Sequence, residues 1–436
     1  MKLNVIHLGD CGEVFSSYPD GFADVIVTDA PYGMGRPPDT LTMLRAWLEH
    51  GYLEVKGTGF MGRKWDRFVP QPNTWKELYR ILKPGGHVVC FFGTRTYDLG
   101  VLAMRIAGFE IRDQLLWLYG SGMPKSLDVG KEMDKMAGAT RPVVGKYVPP
   151  SGKQWNLKQA TLADGEHAPG LFTSSGRRTL DITAPVTNAA QKWDGYGTGL
   201  RPGVEPIVLA RKPLSEPNVC SNLLRHGVGA LNIDAGRIPF VSEEDKAESV
   251  AKNQHADFGT LPGGNAVFGD YSMVPRENYN PEGRWPSNVV HDGSDEVVGM
   301  LRSFDPAGPA RFFYSAKAQR ADRDYGLEDA EPVMMGMSNG AQKGGEGYSK
   351  GQDIGFNRVI ARKNHFNTVK PISVMQWLIK LVAPPGGIIL EPFAGSGTTC
   401  VAADLLGYLW VAAEFEEETH DLACRRVKGL KKGLFA

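Results

Sequence analysis

Short apolar runs alternate with amphipathic stretches at both ends of this chain. From Asn4 the runs NVIHL, DVIVTDAPYG and HVVCFFG each have the length and composition of a buried strand. Between and after them, TWKELYRILKPGG and TYDLGVLAMRIAGF place apolar residues at helical spacing, followed by the run EIRDQLLWLYG. Asn73 or Thr74 can cap the first of these helices, and Pro84, Gly85 and Gly86 stop it. At the other end the pattern predicts a helix over Pro371 to Val382, a strand in GGIILEP, a helix in GTTCVAADLLG, a strand in YLWVAAE and a helix in EEETHDLACRRVKGL. Strands alternating with helices at this spacing predict a wound α/β sheet built from both ends of the chain.

The middle has a different texture. Gly, Pro, Asn and Ser are frequent there, and stretches such as GTLPGGNAVFGDYS and MMGMSNGAQKGGEGYSKGQD read as loops. Three regions follow: 1–130 as one half of an α/β domain, 131–360 as a loop-rich insert, and 361–436 as the other half. Residues 141–240 carry twelve Lys and Arg against seven Asp and Glu, with Trp155 and Trp193 among them. Such an insert suits contacts to a nucleic-acid backbone and to bases, although scattered charges often form only a solvated face. The formal net charge of the whole chain is zero and decides nothing, because phosphate contacts need only a local basic face. Cys11, Cys90, Cys220, Cys400 and Cys424 have no CxxC spacing, so buried free thiols are expected rather than a disulfide framework or a metal site. No apolar stretch is long enough to span a membrane, and the N-terminus lacks a signal-peptide pattern; a cytoplasmic location is expected.

Two turns carry candidate chemistry. The run Leu390-Glu391-Pro392-Phe393-Ala394-Gly395-Ser396-Gly397-Thr398-Thr399 follows a predicted strand and opens a helix, where glycines let a ligand approach free backbone N–H groups. Glu414 ends the next strand, about 20 residues on, a position from which a carboxylate accepts hydrogen bonds from both hydroxyls of a ribose. The dinucleotide fingerprint GxGxxG is not met, which disfavours a nicotinamide enzyme. The second turn, Val27-Thr28-Asp29-Ala30-Pro31-Tyr32-Gly33, also ends an apolar strand. An amino group on a base is a poor nucleophile, and an aspartate beside it can accept its hydrogen bond while a methyl donor stands in line. Tyr32 offers a flat face for an extruded base.

Together the turns resemble the DNA amino-methyltransferases, whose catalytic motif [DNS]-P-P-[YFW] and cofactor motif F-x-G-x-G correspond to DAPY at 29–32 and FAGSG at 393–397. The catalytic motif comes first, as in the permuted β class. GDC at 9–11 resembles the short segment before the catalytic strand, and NHFNTVKP at 364–371 resembles the segment leading the helix before the cofactor strand. FMGRKWD (60–66), GTGLRPGVEPIVLARKPL (197–214), RWPSN (284–288) and RFFYSAKAQR (311–320) are similar to segments of phage and prophage members.

The resemblance implies a Rossmann-like, circularly permuted methyltransferase fold with S-adenosylmethionine as cofactor and a target-recognition insert. Asp29, Ala30, Pro31 and Tyr32 are then catalytic. Phe393, Gly395, Gly397, Thr398 and Glu391 line the cofactor, Glu414 binds its ribose, Thr368 and Lys370 lie near its methionine end, and Asp10 meets its adenine. Double-stranded DNA is the implied partner, and a homodimer is compatible with the family. An aspartate-first motif favours adenine N6 over cytosine N4. Two departures stand out: Ala30 replaces the first proline, and Phe366-Asn367 replaces the usual His-Pro. They leave open a catalytically weakened DNA-binding relative beside the active enzyme; methylation of RNA or of a protein amide shares the chemistry but would not need so large an insert.

Overall fold

A computed structural model describes residues 2–59, 62–120, 122, 126–147, 180–252, 263–265, 269–271, 282–302, 309–315, 320–336, 359–366 and 368–433. The chain forms two compact units, one from 1–120, 204–331 and 363–436, the other from 121–203 and 332–362.

The larger unit is built on a nine-stranded sheet. Its strands are β1 (Val5–Leu8), β2 (Val25–Asp29), β3 (His87–Phe91), β4 (Glu110–Leu118), β5 (Val204–Arg211), β6 (Val289–His291), β7 (Tyr314–Ser315), β8 (Ile388–Glu391) and β9 (Leu409–Glu414). They lie in the order β1-β9-β8-β2-β3-β5-β4-β6-β7, and β5 alone runs antiparallel to its neighbours. This mixed, mostly parallel sheet flanked by helices is the Rossmann-like α/β architecture. The span read as an insert therefore supplies three of the sheet's strands, β5, β6 and β7.

Side-chain alternation divides the core between the two faces of the sheet. Val25, Val27, Val89, Phe91 and Ile389 pack with helix α4 (Ile372–Val382) and helix α5 (Thr398–Leu405). Ile26, Val88, Cys90 and Leu390 pack on the opposite face with Phe15 of α1 (Cys11–Ser16), Trp75 and Leu78 of α2 (Pro72–Ile81) and Met104 of α3 (Tyr97–Ile106). Trp75, Leu78 and Ile81 recur every third residue along one buried stripe of α2, and each such side chain contributes roughly 1.5–3 kcal/mol when fully buried. The predicted Asn73 or Thr74 cap of α2 is not used: Gln71 occupies the cap but turns its side chain to Trp47 and Leu53 rather than to the helix N–H groups, and Pro72 opens the helix, because its fixed φ and missing N–H suit the first turn.

In the smaller unit, helices Val129–Met136 and Asn188–Lys192 are joined through Asp134, which is buried and accepts hydrogen bonds from the Val186 and Thr187 backbone. Its described residues also form two antiparallel pairs, Val143–Tyr147 with Leu180–Thr183 and Val333–Gly336 with Val359–Arg362. Trp155, Asn367 and most of the two stretches read as loops, at 259–272 and 334–353, lie outside the described residues.

Candidate functional site at the carboxyl edge of the sheet

Parallel strands place their carboxyl ends on one edge, and there a wound α/β sheet presents its ligand groups. Asp29 ends β2, Glu391 ends β8 and Glu414 ends β9. β2 and β8 are direct neighbours, with Ile389 opposite Val25 and Leu390 opposite Ile26. The two predicted turns thus emerge side by side.

Asp29 meets a buried ammonium: Lys370 Nζ lies 2.6 Å from Asp29 Oδ2. The same Nζ donates to the Tyr32 hydroxyl at 3.0 Å and lies 3.2 Å from Glu205 Oε2. Tyr32 in turn donates to Glu205 Oε2 at 2.8 Å. The Lys370 ammonium also sits 5.2 Å from the centre of the Tyr32 ring and 4.9 Å from that of Phe91, within cation–π range. Asp29 Oδ1 is buried with no hydrogen-bond partner among the described residues. Burial raises the Asp29 pKa above the ordinary value, Lys370 opposes that rise, and Glu205 adds to it. Burial, then Asp29 and Glu205, push Tyr32 well up. Burial pulls Lys370 down, but Asp29 and Glu205 outweigh it and hold the ammonium charged. Ala30 is buried in the core, and Gly33, in the left-handed region, donates its N–H to Asp66.

The glycine turn is held from behind. Glu391 is buried, with one oxygen accepting from Thr28 and from the Phe393 N–H and the other from Thr399. Burial pushes its pKa up to about 7 against those hydrogen bonds. Thr398 accepts from Arg426, which is fully buried in helix α6 (Glu417–Gly433) and also donates to the carbonyls of Ser396, Tyr325 and Asp322. The polar atoms of Glu391 and Thr398 are thus engaged in shaping the turn.

Gly395 and Gly397 both take positive φ, +52° and +79°. A Cβ on Gly395 would stand 3.1 Å from the Phe366 ring, and one on Gly397 would stand 3.2 Å from Ala423. Phe366 is in turn stacked on Trp65, ring centres 6.4 Å apart and 20° from parallel. A cleft beside this pair is lined by Arg63, Trp65, His365, Phe366, Thr368 and Thr419. Glu414 accepts from the Gly395 N–H at 2.7 Å and from the Glu416 N–H at 3.0 Å; burial, partly offset by these bonds, pushes its pKa up to about 7. Phe393 is half-buried against the core. Gly9 donates to the Glu414 carbonyl, which brings Asp10, the exposed cap of α1, to the same edge.

The structure therefore gathers Asp29, Tyr32 and Lys370 into one cluster and Gly395, Glu414 and Phe393 into another, with Asp10 and Thr368 at the rim. Lys370, expected near the donor's methionine end, ion-pairs with Asp29 of the other turn. Glu205 was not anticipated. Its signal was a lone carboxylate opening an otherwise apolar strand, VEPIVLAR.

The sequence profile of the DNA methylase family, of N6/N4 type, matches residues 23–138 and 197–425. The chain belongs to this family. YubD of Escherichia coli is 37% identical over 70 residues, 16% of this chain and 31% of that protein. The type II methyltransferase M.ScaI of Streptomyces caespitosus is 38% identical over 65 residues, 15% of this chain and 21% of that protein. The matches thus span a third or less of these relatives' length. Among solved structures, the PvuII DNA methyltransferase, described as cytosine-N4-specific, is 12% identical with a TM-score of 0.40, covering 97% of this chain and 85% of that one. The complex of M1.HpyAVI with SAM is 12% identical with a TM-score of 0.36, covering 97% and 98%.

In this methylase-family chain several basic residues of the 141–240 stretch are committed to protein partners. Arg211 pairs with Glu110, Arg225 with Glu216, Arg237 with Asp234 and Arg141 with Asp134, and Lys212 donates to the carbonyls of Tyr79 and Leu82. Arg211 and Arg141 are largely buried in these pairs, so the charge excess overstates what is available to phosphates. Lys153, Lys158, Arg177 and Arg178 lie outside the described residues. All five cysteines are free; Cys220 is exposed, against the expectation of buried thiols. Among the described residues, no helix is long and apolar enough to cross a membrane.

Proposed function

We propose that the protein is a site-specific DNA methyltransferase that moves a methyl group from S-adenosylmethionine to the exocyclic amino group of a flipped base in double-stranded DNA, adenine N6 by preference. The observation that carries this reading is Asp29 Oδ1, a buried acceptor with no hydrogen-bond partner among the described residues, at the sheet edge beside the Gly395 turn. A buried acceptor left unmatched costs about 1–3 kcal/mol, which a bound amino group would recover.

The residues of the glycine turn suit the donor. The left-handed backbone at Gly395 and Gly397 leaves a tight cradle that a side chain would fill, and Glu414 ends the neighbouring strand with a carboxylate facing that turn. Phe393, Gly395 and Gly397 would hold the donor, Glu414 its ribose hydroxyls, and Asp10 and Thr368 its two ends. When bound, the donor supplies an electrophilic methyl on a sulfonium. Asp29 accepts a hydrogen bond from the target amino group, orients its lone pair and stabilises the positive charge that grows on nitrogen during attack. Tyr32 stacks on the extruded base. Lys370 opposes the rise that burial imposes on the Asp29 pKa and so favours its ionised form.

The order of the turns along the chain supports the permuted β class: the strands bearing the donor turn come last in sequence yet lie between β1 and β2. Residues 131–360, apart from the three strands they lend to the sheet, would read the DNA sequence, and a cytoplasmic location accords with that substrate. Expression in a host lacking DNA methylation, followed by mapping of modified bases, tests the reading. N6-methyladenine at a defined site is expected; N4-methylcytosine would correct the base, and unmodified DNA from a folded, donor-binding protein would leave a DNA-binding relative.

A further inference from the structure

We propose that Glu205 is a positioning residue for methyl transfer, drawing the Tyr32 hydroxyl proton away from Asp29 so that Asp29 Oδ1 stays a bare acceptor. The inference rests on the methyltransferase reading above and goes beyond it by giving a role to a residue outside both motifs.

The argument is a count of protons. The Lys370 ammonium has three, and three acceptors surround it: Asp29 Oδ2, the Tyr32 hydroxyl and Glu205 Oε2. Tyr32 therefore accepts from Lys370 and has a single proton to give, which goes to Glu205 Oε2. The Asp29 carboxylate shares the Lys370 ammonium with the Tyr32 hydroxyl and is the other carboxylate beside it. Without the competing Glu205 carboxylate the Tyr32 proton would turn to Asp29 and compete for the carboxylate meant for the substrate. Glu205 can do this because β5 is the antiparallel strand. Its first residues, not its last, lie at the carboxyl edge of the sheet, where Ile207 faces Phe91 at the end of β3.

Glu205 also sets the charge. Asp29 and Lys370 alone would cancel; with both carboxylates ionised the cluster carries one negative charge in excess. In a buried site that excess favours a cationic donor over its neutral product and favours positive charge growing on the amino nitrogen.

The test uses the full chain with Glu205→Gln, Glu205→Asp, Tyr32→Phe and the Tyr32→Phe/Glu205→Gln double variant, folding being checked by circular dichroism. Calorimetry compares S-adenosylmethionine with its neutral thioether product, and single-turnover assays follow methyl transfer. Glu205→Gln is expected to reduce the preference for the sulfonium about tenfold, an energy typical of one partly screened charge, with thioether affinity unchanged, whereas Glu205→Asp keeps the preference. Transfer by Glu205→Gln is expected to fall about tenfold or more, and the same substitution to cost much less in the Tyr32→Phe background, where no hydroxyl proton remains to cap Asp29. An unchanged sulfonium preference, together with equal cost in both backgrounds, would overturn the assignment of Glu205. Failure of the wild type to bind the sulfonium would instead overturn the methyltransferase reading, and this proposal with it. If Glu205→Gln does not fold, Glu205→Asp decides: retained preference with slowed transfer supports the proposal, and wild-type transfer overturns it.

Discussion

Lys370 and Asp29 are 341 residues apart in sequence and 2.6 Å apart in the fold. The contact joins the segment before α4 to the end of β2 and engages one oxygen of the Asp29 carboxylate. The other oxygen is left buried and unmatched. The site's asymmetry, one oxygen fixed and one free, is what the following predictions probe.

Asp29→Ala is expected to abolish methyl transfer and leave donor binding close to wild type, because the donor turn belongs to other strands. Loss of a preorganised acceptor of this kind costs about 10²–10³ in rate. Asp29→Asn keeps the shape and one acceptor oxygen, so a severe loss with residual activity is expected. Single-turnover transfer to DNA bearing the mapped site, alongside donor titration, checks both. Wild-type rates in Asp29→Ala would remove Asp29 from the chemistry.

Lys370→Met leaves Asp29 and Glu205 buried with no cation between them. Breaking a buried pair from one side typically costs about 3–5 kcal/mol, to be read from urea denaturation. The remaining Asp29 should hold its proton to higher pH, since the group that opposed its rise is gone. The acid limb of the transfer profile should therefore move upward. A profile in the old position would mean that Asp29 ionisation does not govern the reaction.

Glu414→Ala should weaken donor binding by about 1.5–3 kcal/mol if the carboxylate accepts from both ribose hydroxyls. An unchanged dissociation constant would place the ribose elsewhere.

Glu414 also predicts a pH dependence. Its folded pKa, about 7, lies above the ordinary value of 4.5, so the folded protein holds a proton that the unfolded chain has released. Stability from this group is present in acid and is lost as pH rises through that window. Donor affinity should run the other way. The ionised form is the stronger acceptor, so binding should tighten about tenfold between about pH 6 and about pH 8, while Glu414→Gln stays flat. A flat wild-type titration would argue that Glu414 does not receive the donor's hydroxyls.

Arg426→Met should destabilise the protein, because the carbonyls of Ser396, Tyr325 and Asp322 lose a buried donor, at about 1–3 kcal/mol for each left unmatched. The Gly395 turn should loosen with it. Thermal unfolding with and without donor checks this, and an unchanged melting temperature would mean that water replaces the guanidinium.

Both turns could be read in the sequence because each is punctuated by residues with unusual backbone demands, at Pro31 and Gly33 and at Gly395 and Gly397. The central strands were equally plain, since burial on both faces makes them apolar up to their carboxyl ends, as in VIVTD and IILE. Val204–Arg211 was harder. It lies within a Gly- and Pro-rich stretch, and nothing local distinguishes an isolated apolar run in an insert from a strand completing a distant sheet. Glu205 was hidden for the same reason: its partners, Tyr32 and Lys370, lie 173 and 165 residues away, and no spacing rule connects them. Local periodicity could not show that Lys370 would point to the Asp29 turn, nor that several arginines of the basic stretch would be held in internal pairs.

The strand order β1-β9-β8-β2 also sets a sequence of events during synthesis. β1 and β2 leave the ribosome early, but the places between them belong to strands made more than 350 residues later. Such long-range pairing closes slowly, because most of the chain must be ordered before the last strands find their register. Until then Asp29 and Tyr32 exist without Lys370, and the Gly395 turn has not been made. On the proposed reading, a nascent or prematurely terminated chain would lack both features and leave DNA unmodified until the final strands close the middle of the sheet.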